Sequence, residues 1–154
     1  MIDLQAKLFA RNAGRELKIG RMTMLFKMTA GDTQGAYSVI EALVPPESGS
    51  NLHRHWSYDE SAFVLDGKFD CYVDGKQKTF GAGESIFWPR GAVHRFKGVG
   101  PGDGRMLFIC SPGKIFEDFA EQIANPAVET GTATSGPAPD FRAIAARHGI
   151  EAID

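Results

Sequence analysis

The chain holds four histidines, and three of them fall in two short stretches that also carry an acid, a proline and glycines. One stretch is His53-Arg54-His55-Trp56-Ser57-Tyr58-Asp59-Glu60, and the other runs from Gly83 through Pro89-Arg90-Gly91 to His94. Imidazoles and carboxylates ligate first-row transition metals and move protons near neutral pH. Side chains two apart on a strand share a face, so His53 and His55 point the same way. Glu60 follows His55 by five positions, an odd number, so it joins that pair only if residues 56–59 contain a turn or bulge. Ser57 and Asp59 are residues that make one. Residues 89–91 reverse the chain, and His94 opens the run after them, which can return a third imidazole to the first two. His148, the fourth histidine, falls in the last turn of an expected helix, where a cation is mildly favourable, and is not counted as a ligand.

The elements that would have to position these groups are mostly strands. Residues 22–28, 36–44, 51–55, 61–65, 68–73, 77–80, 84–88, 94–98 and 105–110 read as extended runs separated by polar turns. Asp66-Gly67 and Asp74-Gly75 stand between apolar runs, a hairpin signal. Residues 1–20 show no clear pattern. Strands at this spacing, with 18 glycines and 8 prolines in 154 residues, argue for an all-β barrel or sandwich. The pattern changes after Ser111. Ile115, Phe116, Phe119 and Ile123 recur at helical spacing over residues 114–124, with Glu117, Asp118, Glu121 and Gln122 opposite. Residues 125–139, rich in Ala, Thr, Gly and Pro, read as a flexible linker. Asp140 can cap a last helix over 141–148 that Gly149 can end. The chain therefore divides into a barrel with a covering helix (1–124), the linker, and a helical tail (140–154) able to dock on its own barrel or on a partner.

Bulk properties exclude several function classes. Net charge is −2 with no basic tract, which leaves no nucleic-acid footprint. No apolar run approaches the ~18–20 residues of a membrane span, and the N-terminus lacks the pattern of a secretory leader. A cytoplasmic protein is expected. Cys71 and Cys110 lie in apolar strand-like runs without ligand spacing and read as small buried residues in a reducing compartment.

The two histidine stretches resemble the two motifs of the cupin superfamily. His53-x-His55, four residues, Glu60, six residues and Gly67 match the first. Gly83, five residues, Pro89-x-Gly91, two residues and His94 match the second. One departure is visible, since Glu47 stands where a glycine is usual six residues before the first histidine, with Gly49 nearby. The trailing helix and residues 141–150 are also similar to small bacterial cupins of the quercetin-dioxygenase-like kind.

The resemblance implies a cupin jelly-roll, or double-stranded β-helix, with one or two C-terminal helices. It also implies one divalent transition metal held by His53, His55, Glu60 and His94. Three neutral imidazoles and one carboxylate suit Fe, Mn, Co, Ni, Cu or Zn, and spacing does not select among them. Such a centre favours an anionic or bidentate oxygen ligand such as an enolate or catecholate. A metal-dependent dioxygenase acting on a small enolizable or phenolic compound is the function expected first, with Glu60 as ligand and catalytic base. A Lewis-acid isomerase or lyase, or a non-catalytic binding barrel, is the alternative. Trp56, Ala62, Val64 and Phe96 are candidate lining residues by position, with packing the commoner role for Trp56. Tyr58 and Asp59 are weaker candidates for proton transfer, and Arg90 for meeting an anion at the mouth. The only expected partners are a small molecule and a second copy of the chain, because exposed sheet edges commonly pair.

Overall fold

Buried and exposed side chains alternate along most of the strands, and this alternation builds two facing sheets. The structure is a computed structural model that describes residues 4–124 and 140–154. Its elements are β1 (Arg15–Ile19), β2 (Met22–Met28), β3 (Ser38–Val44), β4 (His53–His55), β5 (Asp59–Asp66), β6 (Lys68–Val73), β7 (Lys76–Gly81), β8 (Ser85–Trp88), β9 (His94–Gly98), β10 (Gly104–Ser111), α1 (Gly113–Ala124), α2 (Phe141–Arg147) and β11 (Ile150–Ala152). One antiparallel sheet has the order β1-β2-β3-β10-β5-β8, and the other β11-β4-β9-β6-β7. This is the jelly-roll expected from the sequence. From β3 to β10 the chain crosses between sheets at each connection except the β6–β7 hairpin. The core lies between them, with Phe26, Ile40, Val44, Phe69, Trp88 and Met106 at most 1% exposed.

The turns separate two uses of the Asp-Gly pair. Asp74 and Gly75 both take positive φ, 45° and 87°, and close the β6–β7 hairpin as expected. Asp66-Gly67 does not close a hairpin, because β5 and β6 belong to different sheets. It is a corner, where Gly67 takes φ 82° and a Cβ would sit 2.7 Å from Gly104 Cα. The corner before the first motif is a turn closed by the Ser48 N–H donating to the Pro45 carbonyl at 3.1 Å, with Glu47 at φ 61°. The departure from the family's usual glycine thus leaves a glutamate in a conformation that glycine favours.

Three expectations need correction. β1 was not anticipated, since only Leu17 of its five residues is buried and no alternation marks it. The tail is a helix plus a strand: β11 pairs antiparallel with β4, setting Ile150 opposite His55 and Ala152 opposite His53. Glu117 does not lie on the solvent side of α1. It is 6% exposed, and its carboxylate accepts the Ala30 backbone N–H at 2.6 Å, so a polar group on the packed face ties the helix to the barrel. α2 is capped as expected, with the Asp140 carboxylate accepting from the N–H groups of Arg142 and Ala143. The linker expected over 125–139 lies outside the described residues. Among the described residues no helix is long and apolar enough to cross a membrane.

Candidate metal centre

The three motif histidines meet because of strand pairing. β4 and β9 are antiparallel neighbours with His53 directly opposite His94, and His55 follows two residues along β4. Glu60 comes from the other sheet, on β5, after the chain turns at residues 56–58. That turn is the reversal which the odd spacing of Glu60 from His55 required. Ligand atoms of His53, His55 and His94 all lie within 4.8 Å of one another. His53 Nε2 is 2.9 Å from His55 Nε2. Glu60 Oε2 lies 3.5 Å from His94 Nε2 and 3.9 Å from His55 Nε2.

The tautomers follow from the partners. His53 Nδ1 faces the Asn51 carbonyl at 2.8 Å, and His94 Nδ1 faces the Ala92 carbonyl at 2.9 Å. A carbonyl only accepts, so both Nδ1 atoms carry the proton, and in the neutral rings both Nε2 lone pairs point inward. His94 Nε2 is buried with no hydrogen-bond partner among the described residues. Backbone carbonyls holding the outer nitrogens are the usual support of metal-ligating histidines. Two donors each about 2.1 Å from one ion stand about 3.0 Å apart when cis in an octahedron and about 3.4 Å apart in a tetrahedron. The His53–His55 spacing of 2.9 Å and the Glu60–His94 spacing of 3.5 Å are of that size and the Glu60–His55 spacing of 3.9 Å is longer, so the group fits a single divalent ion once its side chains draw in slightly.

Electrostatics keep the donors in their ligating forms. Burial, then the neighbouring His94, lowers His53 to about 4, and burial lowers His55 to about 3, so both are neutral at pH 7. Burial alone would raise the Glu60 carboxyl. The surrounding histidines, His94 first, outweigh it and hold the carboxyl below its ordinary value.

The centre opens onto a cavity of about 240 Å³. Its apolar lining includes Met24, Phe96 and Phe108 from the sheets, Phe116 and Phe119 from α1, and Phe141 and Ile150 from the tail. Tyr58 lines it too, 1% exposed and stacked on the His55 ring with centroids 4.1 Å apart. Burial and the Glu60 carboxylate push its phenol up, so it stays a proton donor.

Other candidates fall elsewhere. Phe96 lines the cavity, whereas Ala62 and Val64 are buried in the core between the sheets, outside the lining. Trp56 is 54% exposed and outside it as well: its indole N–H donates to Glu151 at 3.0 Å and the Arg54 guanidinium sits over its ring. The residue after His55 faces away from the ligands, as alternation demands. Asp59 and Arg90 are paired with each other at 3.1 Å, which occupies the groups weighed for proton transfer and anion contact. Sequence reasoning weighed Tyr58 for proton transfer but missed that Phe116, Phe119, Phe141 and Ile150 line the cavity. The helical spacing of the α1 phenylalanines was visible, but not what they cover.

Residues 40–110 match the family model described as the cupin domain. That stretch, just under half of the chain, is similar to the cupin domain and agrees with the two-sheet jelly-roll described above. Among curated relatives, the polyketide synthase CurC of Streptomyces cyaneus is 29% identical over 102 residues, covering 66% of this chain and 62% of the relative. The chain spans less than two thirds of the length of the curated relatives it matches. An RmlC-like cupin from Shewanella frigidimarina superposes with TM-score 0.59 at 21% identity, covering 72% of this chain and 96% of that one. The polyketide cyclase RemF from Streptomyces resistomycificus superposes with TM-score 0.61 at 22% identity, covering 70% of this chain and 80% of that one. These superpositions establish the shared fold.

Proposed function

We propose that the protein is a metal-dependent cupin enzyme acting on a small, largely apolar compound with an enolizable or phenolic oxygen, by Lewis-acid proton-transfer chemistry. The observation that carries this reading is the junction of a three-histidine, one-carboxylate centre with an aromatic cavity of about 240 Å³. A bound divalent ion would polarise a substrate oxygen and so acidify the neighbouring C–H or O–H. The chain's own residues do the rest. Phe96, Phe108, Phe116 and Phe119 offer flat apolar faces to a planar molecule and exclude water. Glu60 Oε2, the oxygen near the His94 and His55 nitrogens, would accept a proton released beside the centre, and Tyr58, which lines the cavity, would return one. The names of two similar proteins, a polyketide synthase and a polyketide cyclase, support a polyketone-like substrate, which is both enolizable and planar once cyclised.

Oxygenation, expected first from the sequence resemblance, is the second reading. It is favoured by the number of protein donors, four, which leaves room on a six-coordinate ion for two further ligands. One experiment separates the two. The protein is loaded in turn with zinc, manganese, iron, nickel or copper and offered a panel of phenols and 1,3-diketones with and without air. Turnover that persists without air, zinc included, is the expected result. Turnover only with a redox-active metal and matched oxygen uptake would establish the dioxygenase instead. Loss of both would leave a binding barrel.

The reading includes a homodimer. Its support is the open edge of the larger sheet at β8, where Phe87 is 61% exposed beside exposed Phe63 and Leu65 of β5. Light scattering should give twice the chain mass of 16.7 kDa, and a monomer mass would remove this part of the proposal.

A further inference from the structure

The two oxygens of Glu60 make different contacts. Oε2 is the atom 3.5 Å from His94 Nε2 and 3.9 Å from His55 Nε2. Oε1 has the Cys110 sulfur 3.7 Å from it. The backbone dictates this meeting: Glu60 and Cys110 are direct partners across the β5–β10 pairing, so both side chains leave the sheet on the same inner face. Cys110 is fully buried and Glu60 is 7% exposed. Among the described residues Cys110 is the only hydrogen-bond donor to Oε1. Cys71, the other cysteine, is equally buried but makes no side-chain hydrogen bond among the described residues, as a cysteine that only fills space would.

A carboxylate near a divalent ion can bind through one oxygen or two, and binding through two takes up a further coordination position. We propose that Cys110 is a positioning residue for the metal centre: its S–H donates to Glu60 Oε1 and commits the carboxylate to ligation through Oε2 alone. A bound ion would thereby keep one position for an incoming oxygen ligand. Outer partners of metal ligands commonly govern affinity in this way. The inference rests on the metal centre and not on the reaction assigned above.

The test uses the full chain, stripped of metal and titrated with cobalt(II) alone, read by calorimetry and by the visible spectrum of the bound ion. C110V removes the donor while keeping an apolar side chain of similar bulk, C110S keeps a donor, and both are repeated in an E60A background. C110V should weaken cobalt binding by about tenfold and shift the spectrum. C110S should restore both, and C110V should change nothing further once Glu60 is gone. Wild-type affinity and spectrum in C110V would overturn the role of Cys110 while leaving the metal centre standing. Equal weakening by C110V with and without Glu60 would also overturn it, since packing alone would then explain the effect. Failure of the wild-type chain to bind cobalt would overturn the centre and this role together.

Discussion

At the scale of single residues, the centre depends on which nitrogen of each ring is committed outward. The carbonyls of Asn51 and Ala92 hold Nδ1 of His53 and His94, so the inner nitrogens are presented as donors before any ion arrives. The buried Nε2 of His94, without a hydrogen-bond partner among the described residues, is the most telling atom, because an unpaired buried polar group is costly unless something binds there. His94→Ala should abolish retention of metal on purification, checked by elemental analysis. Full occupancy in that variant would sink the assignment. The ligand residue types were legible in the sequence, because His53-x-His55 on a strand fixes a shared face whatever the rest of the chain does. Trp56 directly follows His55, so the same alternation turns its ring away from the cavity.

Elements carry the next set of effects. The turn ahead of the first motif places Glu47 at positive φ, with an exposed ion pair to Lys97 as its only charge contact among the described residues. Exposed pairs contribute little, whereas relief of an unfavourable φ is worth more. Glu47→Gly should therefore raise stability by about 0.5–1 kcal/mol in urea unfolding, offset in part by the added freedom of glycine in the unfolded chain. A second turn gives a pH signature. Lys7, followed by the Thr29 amide and hydroxyl, holds the Asp32 carboxyl down to about 2. A depressed carboxyl stabilises fully above its ordinary value near 3.8, and that stability is lost as pH falls toward 2. Asp32→Asn should cost about 1 kcal/mol at pH 6 and almost nothing at pH 2, measured as the difference in unfolding midpoints. At the tail, Ile150 is 5% exposed and sits opposite His55, closing the cavity. Ile150→Ala should destabilise the protein by roughly 2–4 kcal/mol and increase dye binding to the uncovered cavity.

For the whole molecule, the candidate ligands span both sheets: three come from one sheet and the fourth from the other. A bound ion would cross-brace the barrel, so metal should raise stability as well as create a site. At a free metal concentration a hundredfold above the dissociation constant the gain is about 2.7 kcal/mol, or roughly 5–10 °C in melting temperature for a chain of this size. Scanning calorimetry with and without a chelator checks it, and an unchanged melting temperature would argue against occupancy. Most of the architecture was readable in advance, since strands β2, β6 and β9 fall where alternation put them and α1 begins within one residue of its expected start. β11 was not readable: three residues hold too little alternation to announce a strand, and it exists because the edge of β4 offers unpaired backbone groups.

Local pattern thus determined the residue types of the centre, the strand faces and the turns, because these depend on neighbours a few positions away. Tertiary structure alone decided that the inner nitrogens of His53, His55 and His94 converge, that Glu117 is buried, that the tail walls the cavity and that Cys110 stands against Glu60. Each of these is a relation between segments distant in the chain. Such relations are set by which sheet each strand joins and in what register, and a one-residue slip would turn the same side chains to the opposite face.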